Sequence, residues 1–447
     1  MATNDTIYQK TKIFVIKSLE LLEVIKESEG IPLTPQHEKI LITEGSDGGI
    51  SGTTSKYTQE LDFSYFISKN WEKIKSLPEY EECQTCMYEN KIINKHLGKL
   101  VGTAGYGMRI DIDTCLKRLI LGMILESGSL KFNEKIFAEY FEKLKNFFTN
   151  DKLQFCAFAP LEGFRADIDE IQLDENLRIF KITAQKLEEL LNNSGITTII
   201  PISHFLISNL RFGIERIYET DKAIGDELKP PLITPIQETG RIFDEMISAL
   251  RLFKPGTVGY NFIRTEALDW NPIGGGSIHS GIFKHPYHGE YRLEKNEVPD
   301  FKEFFKKLEH KPKFLDVPLR YFNYAHTRER PEDKLIDYMI AFEGLFLVKE
   351  KAELSYRLSL RVAAFLGENL DEKGKIFTLM RKAYDLRSDI VHGSSYSKNI
   401  DINEEKLSFE ELVSWVEELL RKSIKKSIDT GQEPRKILES SPESIFV

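Results

Sequence analysis

Between Pro331 and Gly393 apolar residues recur at three- and four-residue intervals through successive segments, and this pattern constrains the fold more tightly than any other stretch. Pro331, followed by Glu332 and Asp333, supplies a preset φ and acidic groups for the positive end of a helix. That helix runs from Lys334 to about Val348, with Leu335, Tyr338, Met339, Phe342, Leu345 and Phe346 on one buried stripe. A second helix, Leu354 to Gly367, buries Leu354, Leu358, Val362 and Phe365, and Gly367 is expected to close it in the left-handed conformation. A third begins near Asp371, turns Ile376, Leu379, Ala383, Leu386 and Ile390 inward, and ends with His392 in its last turn and Gly393 as its cap. A fourth, Ser408 to Ile428, opens on Ser408-Phe409-Glu410-Glu411, the reciprocal pairing of a capping box. It continues with Leu412, Val416, Leu419 and Ser423 on one side. Short loops between amphipathic helices of this kind make a helical bundle.

Several segments of this region also occur in a recognisable order. They are Ala341-Phe342-Glu343-Gly344-Leu345-Phe346, Leu354-Ser355-Tyr356-Arg357-Leu358, Arg361-Val362-Ala363, and Tyr384-Asp385-Leu386-Arg387-Ser388-Asp389-Ile390-Val391-His392-Gly393. Together they resemble the Apea-like HEPN family across roughly residues 300 to 430. The resemblance implies an all-α bundle, dimerisation through it, and a metal-independent ribonuclease whose motif is an Arg followed after four to six residues by a His. Arg387 and His392 match that motif, with Ser388 directly after the Arg and Asp389 one later. It further implies a toxin-like or anti-phage role. Arg320 and His326 have similar spacing but precede the bundle core, and they read as structural.

These residue types suit RNA cleavage. RNA carries its own nucleophile, the 2′-hydroxyl, so cleavage needs a base for that proton, a cation for the developing phosphorane charge and an acid for the leaving oxygen. Histidine serves both proton roles near neutrality, and the planar fork of arginine clamps phosphate through two charge-assisted bonds. No cofactor and no metal is called for. Five residues on a helix rise roughly 7.5 Å and turn about 140°, so Arg387 and His392 diverge within one regular helix. A two-fold homodimer, or a higher oligomer, would place both pairs in one groove. Glu343, between Phe342 and Leu345, either orients Arg387 by pairing or simply faces solvent; Ser388 and Asp389 are supporting candidates, and Arg381 and Lys382 are candidates for holding RNA. The cations Arg421, Lys422, Lys425 and Lys426 read as complements to a helix C-terminus.

The chain of 447 residues is long enough for two or three domains, and its net charge of -9 argues against a broad nucleic-acid-binding surface while leaving room for a local basic site. It reads as multidomain α+β, with an N-terminal helical and α+β part before the bundle. The expected boundaries are 1–58 (a helix over 11–27 with Ile13, Ile16, Leu19, Leu22 and Ile25 inward, then a flexible Gly/Ser/Thr linker), 59–150 (helical), 151–299 (α+β, sensing an unknown trigger or regulating), 300–430 (bundle) and 431–447 (tail). In 59–150 the clearest helices are Asp113 to Leu125 and Asn133 to Phe148. Strands are expected at Leu153–Phe158, Leu177–Ile182, Thr197–Ile202, His204–Tyr218 and Val258–Arg264, with helices at Ala184–Leu191 and Glu238–Arg251 and a loop at Gly274–Gly276. The Gly-rich run Glu44 to Ser55 lacks the Lys-Ser/Thr ending of a phosphate loop. No apolar run reaches membrane-spanning length and no signal pattern opens the chain, so a cytoplasmic location is expected. Cys83-Gln84-Thr85-Cys86 lacks the second cysteine pair of a structural zinc site, even with His96 nearby, and reads as reduced thiols. Asp167, Asp169 and Glu170 form an acidic group, either a divalent-metal site or a solvated turn. Two other functions remain open: an inactive bundle used for RNA binding or as a dimerisation scaffold, and a nuclease centred on that acidic group.

Overall fold

Helices form wherever an apolar stripe meets a capping residue, and in the computed structural model they alternate with short strands. The structure describes residues 4–45, 50–101, 108–193, 210–222, 235–272, 276–280, 290–347, 353–396, 399–402 and 405–435. The chain opens with α1 (Asn4–Glu29), β1 (His37–Glu44), β2 (Ile50–Thr58), α2 (Phe63–Lys69), α3 (Trp71–Lys75), α4 (Pro78–Glu89) and α5 (Lys91–His96). Next come β3 (Leu100–Val101), β4 (Met108–Arg109), α6 (Ile112–Ser127), α7 (Glu134–Thr149), β5 (Lys152–Leu161), β6 (Phe164–Ala166), β7 (Glu170–Gln172), β8 (Leu177–Lys181) and α8 (Ala184–Asn193). There follow β9 (Phe212–Asp221), α9 (Pro235–Phe253), β10 (Phe262–Ala267), β11 (Gly276–Ser280), β12 (Tyr291–Leu293), α10 (Val298–Glu309) and α11 (Asp316–His326). The last elements are α12 (Pro331–Phe346), α13 (Leu354–Leu366), α14 (Leu370–His392), β13 (Asn399–Ile402), β14 (Glu405–Ser408) and α15 (Phe409–Thr430). The protein is thus mixed α+β with a helical C-terminal region. Among the described residues no helix is long and apolar enough to cross a membrane.

The chain divides into two compact units, each built from separated stretches. The first comprises Met1–Ala159, Asp174–Gly240 and Phe262–Ser280. Its helices pack through the stripe of α7, where Phe137, Phe141, Leu144 and Phe147 are buried, and its strands run in the order β11-β10-β5-β9-β8. Of the stretch expected as a linker, residues 46–49 lie outside the described residues, and the rest is strand: β1 pairs antiparallel with β2, with Ile40 opposite Ser55. The glycines obscured the β-forming run Thr53-Thr54-Ser55-Lys56-Tyr57-Thr58 that follows them. Ile40 joins Phe158, Ile182, Leu187 and Leu210 in a small core. The edge of β1 is closed by α8: Asn192 Oδ1 accepts from the Ile40 N–H at 2.8 Å, and Glu188 Oε1 accepts from the Ile42 N–H at 2.6 Å. In α1, Ile13 faces solvent, while Phe14, Val15, Leu19 and Leu22 carry the buried side.

The second unit comprises Pro160–Leu173, Arg241–Asn261 and Gly281–Val447, and so joins the C-terminal helical region with stretches from earlier in the chain. Phe243, Met246, Ile247 and Leu250 of α9 are buried with Tyr338 and Phe342 of α12, Val362 of α13, Leu379 and Leu386 of α14, and Val416 and Leu420 of α15. The helix ends follow the sequence closely at two places. Ser408 and Glu411 complete the capping box of α15, and Gly393 takes a left-handed φ of 72° after His392. Gly367 departs from expectation: it is extended at φ -73° and ψ 132°. Its glycine is required by close approach, since a Cβ there would lie 2.9 Å from both the Ala363 carbonyl oxygen and the Lys373 nitrogen. Lys425 and Lys426 donate to the carbonyls of Phe253 and Phe365 at 3.0 and 2.6 Å, so they complement the ends of α9 and α13 rather than of their own helix.

Of the remaining expectations, Thr197–Ile202 lies outside the described residues, and the extended run to Tyr218 is described only from Leu210, with its strand beginning at Phe212. The strand expected from Val258 begins at Phe262, because residues 255–261 form a connecting loop. Gly276 opens β11, and residues 273–275 lie outside the described residues, as do 436–447 of the tail.

Candidate functional site

Arg387 and His392 both lie on α14, and the helix presents them differently. The Arg387 side chain is three-quarters covered, with Nη2 3.8 Å from Glu343 Oε1 of α12 and its guanidinium 5.9 Å from the centre of the Tyr384 ring. Its Nε–H is buried with no hydrogen-bond partner among the described residues. His392 is exposed in the last turn. There the Gly393 N–H donates to Ile390 O at 3.2 Å and the Ser394 N–H donates to Asp389 O at 2.8 Å, which stops the helix one residue past the imidazole. One copy therefore offers a positioned guanidinium and, more than a helical turn away, an exposed imidazole.

Electrostatics around the pair centre on Glu343. Burial raises its carboxyl above the usual range, and the nearby Arg387 guanidinium works in the opposite direction. Burial also raises the Tyr384 phenol, with the Glu343 charge adding to it. Ser388 and Asp389 are half-buried, whereas Arg381 and Lys382 are exposed on α14, with Arg381 5.9 Å from the centre of the Phe377 ring. The exposed cations and the exposed His392 thus share the helix with a half-buried Arg387.

The other sequence candidates resolve individually. His326 packs edge-on against Phe322 at 4.7 Å between ring centres, with Nε2 3.7 Å from Glu417 Oε1; Arg320 is exposed. Asp167 pairs with Arg292 at 2.7 Å. Cys83 is buried on α4 beside the Thr11 hydroxyl at 3.5 Å, and burial pushes its thiol up to about 12. His96 is buried, and burial together with the Lys222 charge lowers its imidazole to about 4. Among the described residues no three His, Cys, Asp or Glu side chains converge as they would on a metal ion.

A polar network in the second unit was not singled out from sequence. Arg251 of α9 is fully buried, and its Nε and Nη2 donate to the Val258 carbonyl at 3.0 and 2.9 Å. Arg421 of α15 is also buried; it donates from Nε to the Arg251 carbonyl at 2.8 Å and from its other nitrogens to Glu417 and Glu418. The Tyr338 hydroxyl donates to Glu417 at 2.7 Å. The signal was present in the spacing: Arg251 falls four residues after Ile247, on the apolar stripe of α9, where a cation has to be internally bonded.

No family model, no curated protein and no solved structure matches this chain.

Proposed function

We propose that the protein is a metal-independent endoribonuclease of HEPN type, acting as a toxin-like or anti-phage effector whose first unit senses a trigger or restrains the second. The observation that carries this reading is the pairing on one helix of a guanidinium held beside Glu343 with an exposed imidazole at the helix end. The guanidinium would bind the scissile phosphate and stabilise its developing charge, and the imidazole would move the 2′-hydroxyl proton. The distance along the helix favours a two-fold homodimer in which Arg387 of one copy works with His392 of the other. Exposed Arg381 and Lys382 would hold the flanking RNA backbone.

The competing reading is a non-catalytic RNA-binding or dimerisation bundle. It is favoured by the Arg387–Glu343 pair, which accounts for the arginine as an internal contact. Labelled RNA incubated with the full chain in EDTA separates the two. The ribonuclease reading expects cleavage with 2′,3′-cyclic phosphate or 3′-phosphate ends, lost in the Arg387→Ala, His392→Ala double variant. Intact RNA, or cleavage undiminished in that variant, overturns it.

A further inference from the structure

A cavity of about 460 Å³ opens within the second unit, lined by Arg251, Arg421, Lys334, His326, Glu417, Glu418 and the loop at residues 255–258. Its volume falls in the range of small-molecule sites. Three cationic side chains against two carboxylates leave the lining positive. Arg251 ties the loop down through the Val258 carbonyl, and Gly256, at φ 150°, lets the loop approach Tyr291 where a Cβ would lie 2.7 Å from Cδ2.

Several groups in the lining are uncommitted. The Lys334 ammonium makes no ion pair or hydrogen bond among the described residues, although α12 presents it to the cavity. The N–H groups of Gly256 and Thr257 and the Thr257 hydroxyl also make no hydrogen bond among them. Glu417 and Glu418, while bonded to Arg421, retain lone pairs for further donors. No Phe, Tyr or Trp side chain stands in the lining, and the one ring there, the His326 imidazole, packs edge-on against Phe322.

We infer that this cavity binds a small phosphorylated sugar, its phosphate held by Lys334 and the N–H groups of the 255–258 loop and its hydroxyls by Glu417 and Glu418. Lysine and loop N–H groups together form a recurrent phosphate cradle, and carboxylates are suited to accept from vicinal hydroxyls. The inference does not depend on ribonuclease activity, because α14 contributes no residue to the lining.

The test is calorimetric titration of the full chain, without RNA, using ribose 5-phosphate, glucose 6-phosphate, inorganic phosphate and ribose as separate probes. At least one sugar phosphate should bind saturably and more tightly than phosphate or ribose. Lys334→Gln should weaken that binding at least about tenfold, the loss expected for one charge-assisted contact, at an unchanged melting temperature. Thr257→Val serves if Lys334→Gln fails to fold, and it should weaken binding in the same direction. Absence of binding by both sugar phosphates overturns the inference. So does binding of equal strength in the folded variant, or inorganic phosphate binding as tightly as the sugar phosphates.

Discussion

His392 stands in solvent beside a glycine cap, so its side chain can be removed without opening the core. The expected outcome for His392→Ala is a cleavage rate lower by about 10²–10⁴ with the melting temperature unchanged, read from single-turnover cleavage and thermal denaturation. Arg387→Lys should also fail in cleavage while retaining most RNA affinity, because an ammonium keeps the charge but not the fork. Arg320→Ala and His326→Ala carry the opposite expectation, with cleavage retained; His326→Ala should melt earlier because its ring packs on Phe322 beside Glu417. A folded His326→Ala protein as inactive as His392→Ala would move the site. At this scale the proximity of Glu343 to Arg387 was legible, because Glu343 interrupts an apolar run facing α14. The place of Arg251 on the apolar stripe of α9 was legible too, but its partner was not, because the Val258 carbonyl is brought to it by the fold of the loop that follows.

At the scale of elements, capping chemistry was the most legible feature. Ser408 with Glu411, and Gly393 after His392, act through bonds to neighbours a few residues away, and such bonds are written locally. Gly367 was misread because two different causes select glycine: a left-handed φ, and lack of room for a Cβ. Only tertiary contact distinguishes them. Gly367→Ala should therefore destabilise the protein by about 1–3 kcal/mol through overpacking against Ala363 O and Lys373 N, measured by urea denaturation. A neutral effect would mean that the α13–α14 turn relaxes freely. The pairing of β1 with β2 escaped notice for a related reason: the edge of β1 is satisfied by Glu188 and Asn192, more than a hundred residues away.

At the scale of the whole molecule, pH should act through two buried carboxyls of the second unit. Burial pushes Glu162 up to about 7 against the donation from Asn261, and burial pushes Asp244 up to about 7 against the donation from Tyr260. Folded, each keeps its proton over a range in which the unfolded chain has released it. Their contribution is therefore fully present below the ordinary carboxylate values of 4.5 and 3.8 and is lost as pH rises through about 7. Relative to the parent, Glu162→Gln should gain melting temperature between pH 5 and pH 8, and a difference independent of pH would contradict this. Assembly is also a property of the full chain. Light scattering should give a dimer, whereas a fragment of residues 300–430 should melt without cooperativity because it lacks Arg251 and the buried side of α9.

The bond from Arg421 to the Arg251 carbonyl spans 170 residues of sequence. On a ribosome adding roughly 5–20 residues per second, on the order of ten to thirty seconds separate the synthesis of these two arginines. Throughout that interval the Arg251 carbonyl of α9 lacks the guanidinium that donates to it, and the second unit cannot close. Because α15 is needed for closure, a nascent chain would carry α14 for some time before the bundle around it is complete. If the protein cuts RNA as a dimer, as proposed above, this order of events would keep it silent beside the very transcript that encodes it.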